Sequence, residues 1–244
     1  MPSLTLDETL IWFAHCPKAG GTSVEQVMVT RWGARVGHLH WGWDRWWARG
    51  GWRVACPPNS PQHLTWADTR AVLPRTPDAV FALVRDPAAR MVSEHRWQRR
   101  RRRGTRAGRA LAYLPFSLWL RLMLATARIN PHAFDNHLRP QTDFVPEGAS
   151  VFRLEDGLRP VLDWLGRTTG APLPAPPHAL AGGTGRGARP GPADLARIAA
   201  DHATDYARFG YPLPAGPAPR RDALDRLAGA LAPLVAALDR RGAL

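Results

Sequence analysis

The chain has 244 residues, of which 45% are hydrophobic, and this length suits one sizeable α/β domain with an added C-terminal piece. Its two cysteines, Cys16 and Cys56, have no metal-ligand spacing and indicate neither a disulfide framework nor a zinc site. No signal-like N-terminus and no run of about 18 apolar residues is present, so we expect a soluble, cytoplasmic bacterial protein without a membrane span. The net charge of +13 predicts anionic partners without identifying them.

The first predicted elements surround Lys18, which is the only lysine in the chain. Residues 10–14 form a short apolar run typical of a buried strand, and residues 23–31 are predicted to be a helix. The proline and two glycines between them indicate a tight turn. A strand, a glycine-rich turn and a helix N-terminus present backbone N–H groups that suit a phosphate or sulfate, with Lys18 as counter-charge. An ordinary strand-to-helix turn is the alternative. The P-loop of nucleotide hydrolases is excluded because its lysine follows the glycines.

The remaining elements follow in chain order. Residues 32–61 are predicted to be a long structured loop, rich in tryptophan, and residues 170–192 a Pro/Gly-rich loop or linker. Strands are predicted at 79–84 and 150–154, and helices at 64–73, 87 to about 102, 115–128, 161–165, 193–209 and 224–238. We expect one domain over 1–212, with the loop 171–192 inside it, and an amphipathic helix in 213–244. That last helix either packs on the domain or makes a dimer contact.

Arg85 and Ser93 follow the strand at 79–84. Open α/β sheets bind ligands beyond the carboxyl ends of their strands, where Arg85 is placed, and Ser93 comes two helical turns later. Both side chains could therefore bind one anionic group. Together with the Lys18 turn, they predict two anion sites at two strand ends.

Arginines are concentrated in residues 95–106 and above all in the run from Arg99 to Arg103. Nucleic acid, an anionic glycan or a polyphosphorylated cofactor would be attracted, and a solvated helix face is the plain alternative. Because no helix-turn-helix, zinc finger or RNA-binding aromatic motif accompanies the run, sequence-specific binding of nucleic acid is not expected.

Two segments resemble the cofactor motifs of the membrane-type and bacterial carbohydrate sulfotransferases, a family similar to sulfotransferase family 2. Residues 13–23 (Phe-Ala-His-Cys-Pro-Lys-Ala-Gly-Gly-Thr-Ser) resemble their 5′-phosphosulfate loop. Residues 81–93, which contain Val-Arg-Asp-Pro followed by Arg and Ser, resemble their 3′-phosphate motif. Residues 137–141, 152–155 and 205–211 are similar to further blocks of that family, so the resemblance covers residues 10–211.

This resemblance implies a P-loop-like three-layer α/β fold with a central parallel sheet. It also implies the donor 3′-phosphoadenosine 5′-phosphosulfate (PAPS), with product PAP and no metal. The 5′-phosphosulfate would be held by Pro17, Lys18, Ala19, Gly20, Gly21, Thr22 and Ser23. Arg85 and Ser93 would hold the 3′-phosphate.

The acceptor implied by the family is a hydroxyl, with a carbohydrate favoured, so a general base is needed. Lys18 would stabilise charge on the leaving oxygen. His63 is the first choice for the base, because uronyl 2-O-type members carry a histidine between the two motifs, and Glu155 is the rival. His137 and Arg139 would shape the acceptor or cofactor pocket.

Three further histidines, His15, His38 and His40, are interpreted as structural or loop residues. Two other functions remain open from the sequence. One is a P-loop kinase-like phosphotransferase, and the other is a non-catalytic basic module that binds polyanions.

Overall fold

The computed structural model describes residues 1–37, 59–73, 75–101, 104–173, 188–216, 221–242 and 244. Its strands are β1 (Ser3–Leu6), β2 (Thr9–His15), β3 (Val36–Gly37), β4 (Ala79–Val84) and β5 (Ser150–Arg153). They form one sheet in the order β3-β1-β2-β4-β5. The predicted α/β class is therefore confirmed.

The sheet is mixed. Strands β2, β4 and β5 are parallel, as the resemblance implied, whereas β1 is antiparallel to both β2 and β3. The antiparallel edge was not predicted, and it follows from the turn at Asp7 and Glu8. Only these two residues connect β1 to β2, with Asp7 at a φ of 50°, and a connection this short can join only antiparallel strands.

The helices of the described residues are α1 (Gly21–Trp32), α2 (Trp66–Val72), α3 (Pro87–Arg101), α4 (Arg106–Ala112), α5 (Phe116–Ile129), α6 (Arg159–Thr169), α7 (Pro192–Asp201), α8 (Ala203–Phe209) and α9 (Ala223–Arg240). The single helix expected at 193–209 is two helices, because the backbone of His202 leaves the helical region. Helix α4 was not predicted. The long loop expected at 32–61 begins with a 3-10 turn and β3, and its residues 38–58 lie outside the described part.

Two compact units make up the chain: residues 1–85 with 141–184, and residues 86–140 with 185–244. The expected boundary between residues 212 and 213 stays a prediction. The first unit contains the whole sheet together with α1, α2 and α6. The second contains the other helices.

The core of the first unit lies between the sheet and helices α1 and α6. Its members come from both layers and are buried: Leu4, Ile11, Phe13, Phe81 and Leu83 from the strands, and Val24, Val27, Met28, Val161, Leu162 and Leu165 from the helices. The opposite faces of β2 and β4 are also largely buried, through Trp12 and Ala82 among others. Burial on both faces is typical of parallel strands, and the register, which pairs His15 with Leu83, brings the ends of β2 and β4 to one edge of the sheet.

In the second unit, α9 packs against α5. Small residues of α9, such as Ala232 and Ala236, are buried, while its outer face exposes Leu224, Leu227, Leu231 and Leu234. Of the two alternatives left open for this helix, the structure shows packing on another helix of the same unit, and the dimer contact stays a prediction. Within the described residues, no helix alone is long and apolar enough to cross a membrane; only the sharply bent pair α4 and α5 passes that test together.

Candidate functional site

The turn between β2 and α1 has an unusual backbone. Lys18 has a φ of 65° and Gly20 a φ of 88°. The N–H of Ala19 donates to the carbonyl of Cys16 at 3.3 Å, and that of Ser23 to Gly20 at 3.1 Å. A left-handed conformation costs a lysine about 1–2 kcal/mol, and such strain is concentrated at functional sites.

Both glycines of this turn are required by close neighbours. A Cβ on Gly20 would lie 2.8 Å from Cδ1 of Leu154, and one on Gly21 would lie 2.0 Å from Nε2 of His15. The backbone therefore sits directly on the side chains below it. Among the described residues no side chain caps helix α1, and no acidic residue lies in its first turn, so the positive end of the helix is suited to an anion.

Arg85 lies beside this turn. It directly follows β4, and its Nη1 donates to the carbonyl of Lys18 at 3.4 Å. Its backbone is held by the amide of Gln141, which accepts from the Arg85 N–H at 2.9 Å and donates to the Arg85 carbonyl at 2.8 Å. Lys18 and Arg85, one residue from each predicted anion site, thus lie at the same edge of the sheet. Gln141 is fully buried, and although it belongs to one of the recognised sequence blocks, no role was predicted for it.

His63 lies in a buried 3-10 turn, Pro61–His63, within the same unit. Its ring makes an edge contact with the ring of His15, with 5.2 Å between the centroids, and its Nδ1 is 3.5 Å from Oγ of Ser60. His15 was expected to be structural. It is buried at the end of β2 and stacks on Phe13.

Glu25 connects these histidines to α1 and was missed in the sequence. One carboxylate oxygen lies 2.8 Å from Nδ1 of His15, and both accept from Nε2 of Gln62, at 2.7 and 2.9 Å. Burial alone would raise the pKa of the Glu25 carboxyl, but attraction to His15 and the hydrogen bonds from His15 and Gln62 lower it to about 2. Glu25 is therefore a buried, ionised carboxylate. The signal that could have revealed it is a charged residue next to the apolar face of the first predicted helix.

Glu155, the rival base, is exposed in the 3-10 turn Leu154–Asp156 that follows β5. Its neighbour Leu154 supplies the methyl group next to Gly20. Glu155 is thus in the same unit as Lys18 but not in the buried cluster around Glu25.

Ser93, His137 and Arg139 belong to the second unit. Ser93 is half-buried on α3. From the same helix, the buried Glu94 lies 2.7 Å from Nδ1 of His137, while Arg90 donates to the carbonyls of His137 and Arg139 at 3.1 and 2.6 Å. The loop that carries His137 and Arg139 is therefore held by one buried polar face of α3.

A match to a family model decides the family. The model is described as "Sulfotransferase family" and matches residues 3–169, about two thirds of the chain, including the turns after β2 and β4. The chain belongs to the sulfotransferase family. No curated protein and no solved structure was found to match it.

For a sulfotransferase, the edge where β2 and β4 end offers suitable chemistry. Lys18, Arg85 and the first turn of α1 are cationic or N–H donors, and the buried His63 turn lies in the same unit. The cations and N–H donors at this edge can bind an anion, and the His63 turn supplies a proton acceptor within the same unit. The exposed Arg99, Arg100 and Arg101 end helix α3, whereas Arg102, Arg103, His38, His40 and Cys56 lie outside the described residues.

Proposed function

We propose that this sulfotransferase moves the sulfuryl group of PAPS to a hydroxyl, with a carbohydrate as the favoured acceptor. The observation that carries the proposal is the contact of the Arg85 guanidinium with the backbone of Lys18. PAPS carries a phosphosulfate at the 5′ position and a phosphate at the 3′ position of its adenosine. A single nucleotide could therefore contact both motifs, and the position of Arg85 beside the Lys18 turn supports this assignment.

The Lys18 turn is assigned to the 5′-phosphosulfate. The segment from Pro17 to Ser23 forms the turn and the first residues of helix α1, which no described side chain caps. Its strained lysine backbone supports a binding role for the segment. In an in-line transfer, negative charge grows on the bridging oxygen that leaves with PAP, and the Lys18 ammonium would stabilise it there.

Arg85 and Ser93 are assigned to the 3′-phosphate. Arg85 is supported by its fixed backbone, because the two hydrogen bonds from Gln141 hold the residue from which the guanidinium extends. Ser93 rests on the family motif alone. A guanidinium can bind a phosphate through two parallel hydrogen bonds, so Arg85 is expected to supply most of the selectivity for PAP.

His63 is proposed as the base that takes the proton of the acceptor hydroxyl. It is buried in the unit that also contains Lys18, whereas Glu155 is exposed. His137 and Arg139 are proposed to shape the acceptor or cofactor pocket, through a loop whose carbonyls are bound by Arg90.

The binding test is calorimetry with PAP and with adenosine 5′-monophosphate, both without metal. We expect PAP to bind more tightly than the monophosphate. Arg85→Ala should remove most of this preference and weaken the monophosphate less than PAP, because Arg85 also bonds the backbone of the Lys18 turn. Magnesium-dependent binding of ATP, with no affinity for PAP, would instead favour the phosphotransferase. A gel shift at moderate salt without PAP binding would favour the polyanion module.

The catalytic test follows transfer from radiolabelled PAPS to a panel of neutral and anionic oligosaccharides. Lys18→Ala should abolish transfer but only weaken PAP binding, because PAP lacks the sulfuryl group. His63→Ala should lower kcat by about 10² to 10⁴ with PAP binding intact. If His63→Ala keeps the wild-type rate and Glu155→Gln loses it, the base is Glu155.

A further inference from the structure

A buried polar cluster lies next to the Lys18 turn. It consists of His15, Glu25, Gln62 and His63, and each of these side chains is less than 10% exposed. We call it the Glu25 cluster, because the Glu25 carboxylate contacts both His15 and Gln62. The four residues come from three segments: the end of β2, helix α1 and the 3-10 turn before α2.

Burying a carboxylate is unfavourable unless its oxygens are paired and hydrogen-bonded. Here Nε2 of Gln62 donates to both Glu25 oxygens at 2.7 and 2.9 Å, and Nδ1 of His15 lies 2.8 Å from one of them. An apolar side chain at this position of α1 would join the neighbouring core of Val24 and Met28 without that cost. The cluster therefore needs an explanation beyond stability.

The contacts of the cluster lead from the anion-binding turn to the proposed base. The His15 ring lies against Gly21, the first residue of α1, and its Nδ1 pairs with Glu25. Glu25 binds the side chain of Gln62, which directly precedes His63. The His15 ring also contacts the His63 ring, so His63 has an aromatic neighbour within the Glu25 cluster.

We propose that Glu25 is a positioning residue, which acts through Gln62 to hold His63 at a fixed distance from the start of α1. This inference rests on the proposed function, in which the start of α1 holds the phosphosulfate and His63 takes the proton. Both oxygens of Glu25 accept from the same amide nitrogen, so the turn is fixed in direction as well as in distance. Glu25 touches neither the donor nor the acceptor in this proposal.

The test exchanges the side chains of Glu25 and Gln62 between their two positions. Gln62→Glu places two carboxylates face to face and removes the donor, so the turn should move away from α1. A displacement of about 1 Å can lower a rate by about 10²-fold, and we expect a loss of this size in kcat with the affinity for PAP unchanged. In the double variant Glu25→Gln/Gln62→Glu, the amide lies on α1 and the carboxylate on the turn. Their hydrogen bond is restored, and most of the lost kcat should return.

Gln26→Glu is the matched control. It makes the same chemical change one position after Glu25, on the exposed side of α1, and should leave kcat and PAP affinity unchanged. If the hydrogen bond between Gln62 and Glu25 were purely structural, Gln62→Glu would lower the thermal midpoint without a separate loss of kcat per folded molecule. If Gln62→Glu fails to fold, Gln62→Leu removes the donor without adding charge and should also lower kcat.

Three results would overturn the proposal: wild-type kcat in a folded Gln62→Glu or Gln62→Leu variant, a double variant no faster than Gln62→Glu, or a loss that equals the unfolded fraction. In all three the wild-type protein still transfers sulfuryl groups from PAPS, so the proposed function survives. If the wild-type protein transfers none to any acceptor of the panel, both the proposed function and this inference fail.

Discussion

The most direct test of the geometry is a single methyl group at Gly21. In Gly21→Ala the added Cβ would lie 2.0 Å from Nε2 of His15, whereas ordinary van der Waals contact begins at 3.4 Å. Either the ring or the start of α1 must move by more than an ångström. The ring cannot move freely, because it pairs with Glu25 at 2.8 Å and stacks on Phe13 at 5.2 Å.

The expected cost has two parts. Overpacking a tight interior costs about 1–3 kcal/mol, and stretching the buried contact between His15 and the Glu25 carboxylate adds to it, since a buried polar group left without its partner costs about 1–3 kcal/mol. With the pair stretched and not removed, we expect Gly21→Ala to lower the free energy of unfolding by about 2–4 kcal/mol. For a chain of this size the thermal midpoint should fall by about 5–15 °C.

The assay is thermal and urea unfolding followed by circular dichroism, with Gly229→Ala as the matched control. Gly229 is also helical, but a Cβ there meets no atom of the described residues within 4 Å. Its replacement should raise stability by up to about 1 kcal/mol through helix propensity. A second comparison introduces Gly21→Ala into His15→Ala, where no ring remains to clash, and there its cost should be smaller by about 1–3 kcal/mol. Equal costs in both backgrounds would refute the argument.

Three further predictions concern the same unit. The Glu25 carboxyl has a pKa of about 2, below its ordinary value of 4.5. The stability that the ionised carboxylate gives the folded protein is therefore complete above pH 4.5 and is lost as the pH falls towards 2. The stability difference between the wild type and Glu25→Gln should therefore shrink by about 3 kcal/mol between neutral pH and about pH 2 in urea titrations. A constant difference would contradict an ionised Glu25 carboxyl. Lys18→Gly should be more stable than Lys18→Ala by about 1 kcal/mol, because glycine adopts positive φ freely, while neither variant transfers sulfate. Gln141→Ala should lower the free energy of unfolding by about 1–3 kcal/mol, because the backbone N–H and carbonyl of Arg85 lose their hydrogen bonds to the Gln141 amide. It should also lower the affinity for PAP more than that for adenosine 5′-monophosphate. Equal losses of affinity for the two ligands would argue against Arg85 as the 3′-phosphate residue.

The strands and helices that carry the site could be predicted because their signals are local. Strand β4 has the predicted bounds, since its apolar run is bordered by Asp78 and Arg85. The turn around Lys18 follows from its proline and glycines. Both patterns depend on residues close together in the chain, and such patterns can be interpreted without knowledge of the rest of the fold.

Other elements needed information that the local pattern lacks. Strand β1 has only four residues and becomes recognisable through its pairing with β2. The break between α7 and α8 occurs at His202, a residue that is compatible with a helix by propensity. Within the second unit His202 is fully buried, and its burial lowers the pKa of the imidazole well below the ordinary value, so tertiary packing governs this position.

The partners of the site residues could not be predicted for a related reason. Glu25 and Gln62 are separated by 37 positions, and Arg85 and Gln141 by 56, and a buried polar pair has no periodicity that marks its members. Charged and amide residues are most often exposed, so each residue alone resembles a surface position. The family motifs identify which residues meet the ligand but give no information on what holds those residues.

The Arg85–Gln141 contact explains how one proposed ligand site is kept in place across a long excursion of the chain. The chain leaves the first unit after Arg85 and returns to it at Gln141. Closing such a loop costs conformational entropy, and the two hydrogen bonds between the departing and returning residues offset part of that cost where the guanidinium must be held. Because Arg85 also bonds the backbone of Lys18, a displacement of Arg85 or Gln141 would disturb both proposed anion-binding segments. A buried glutamine is suited to this position, since its amide both accepts from an N–H and donates to a carbonyl, and neither a carboxylate nor an apolar side chain can do both.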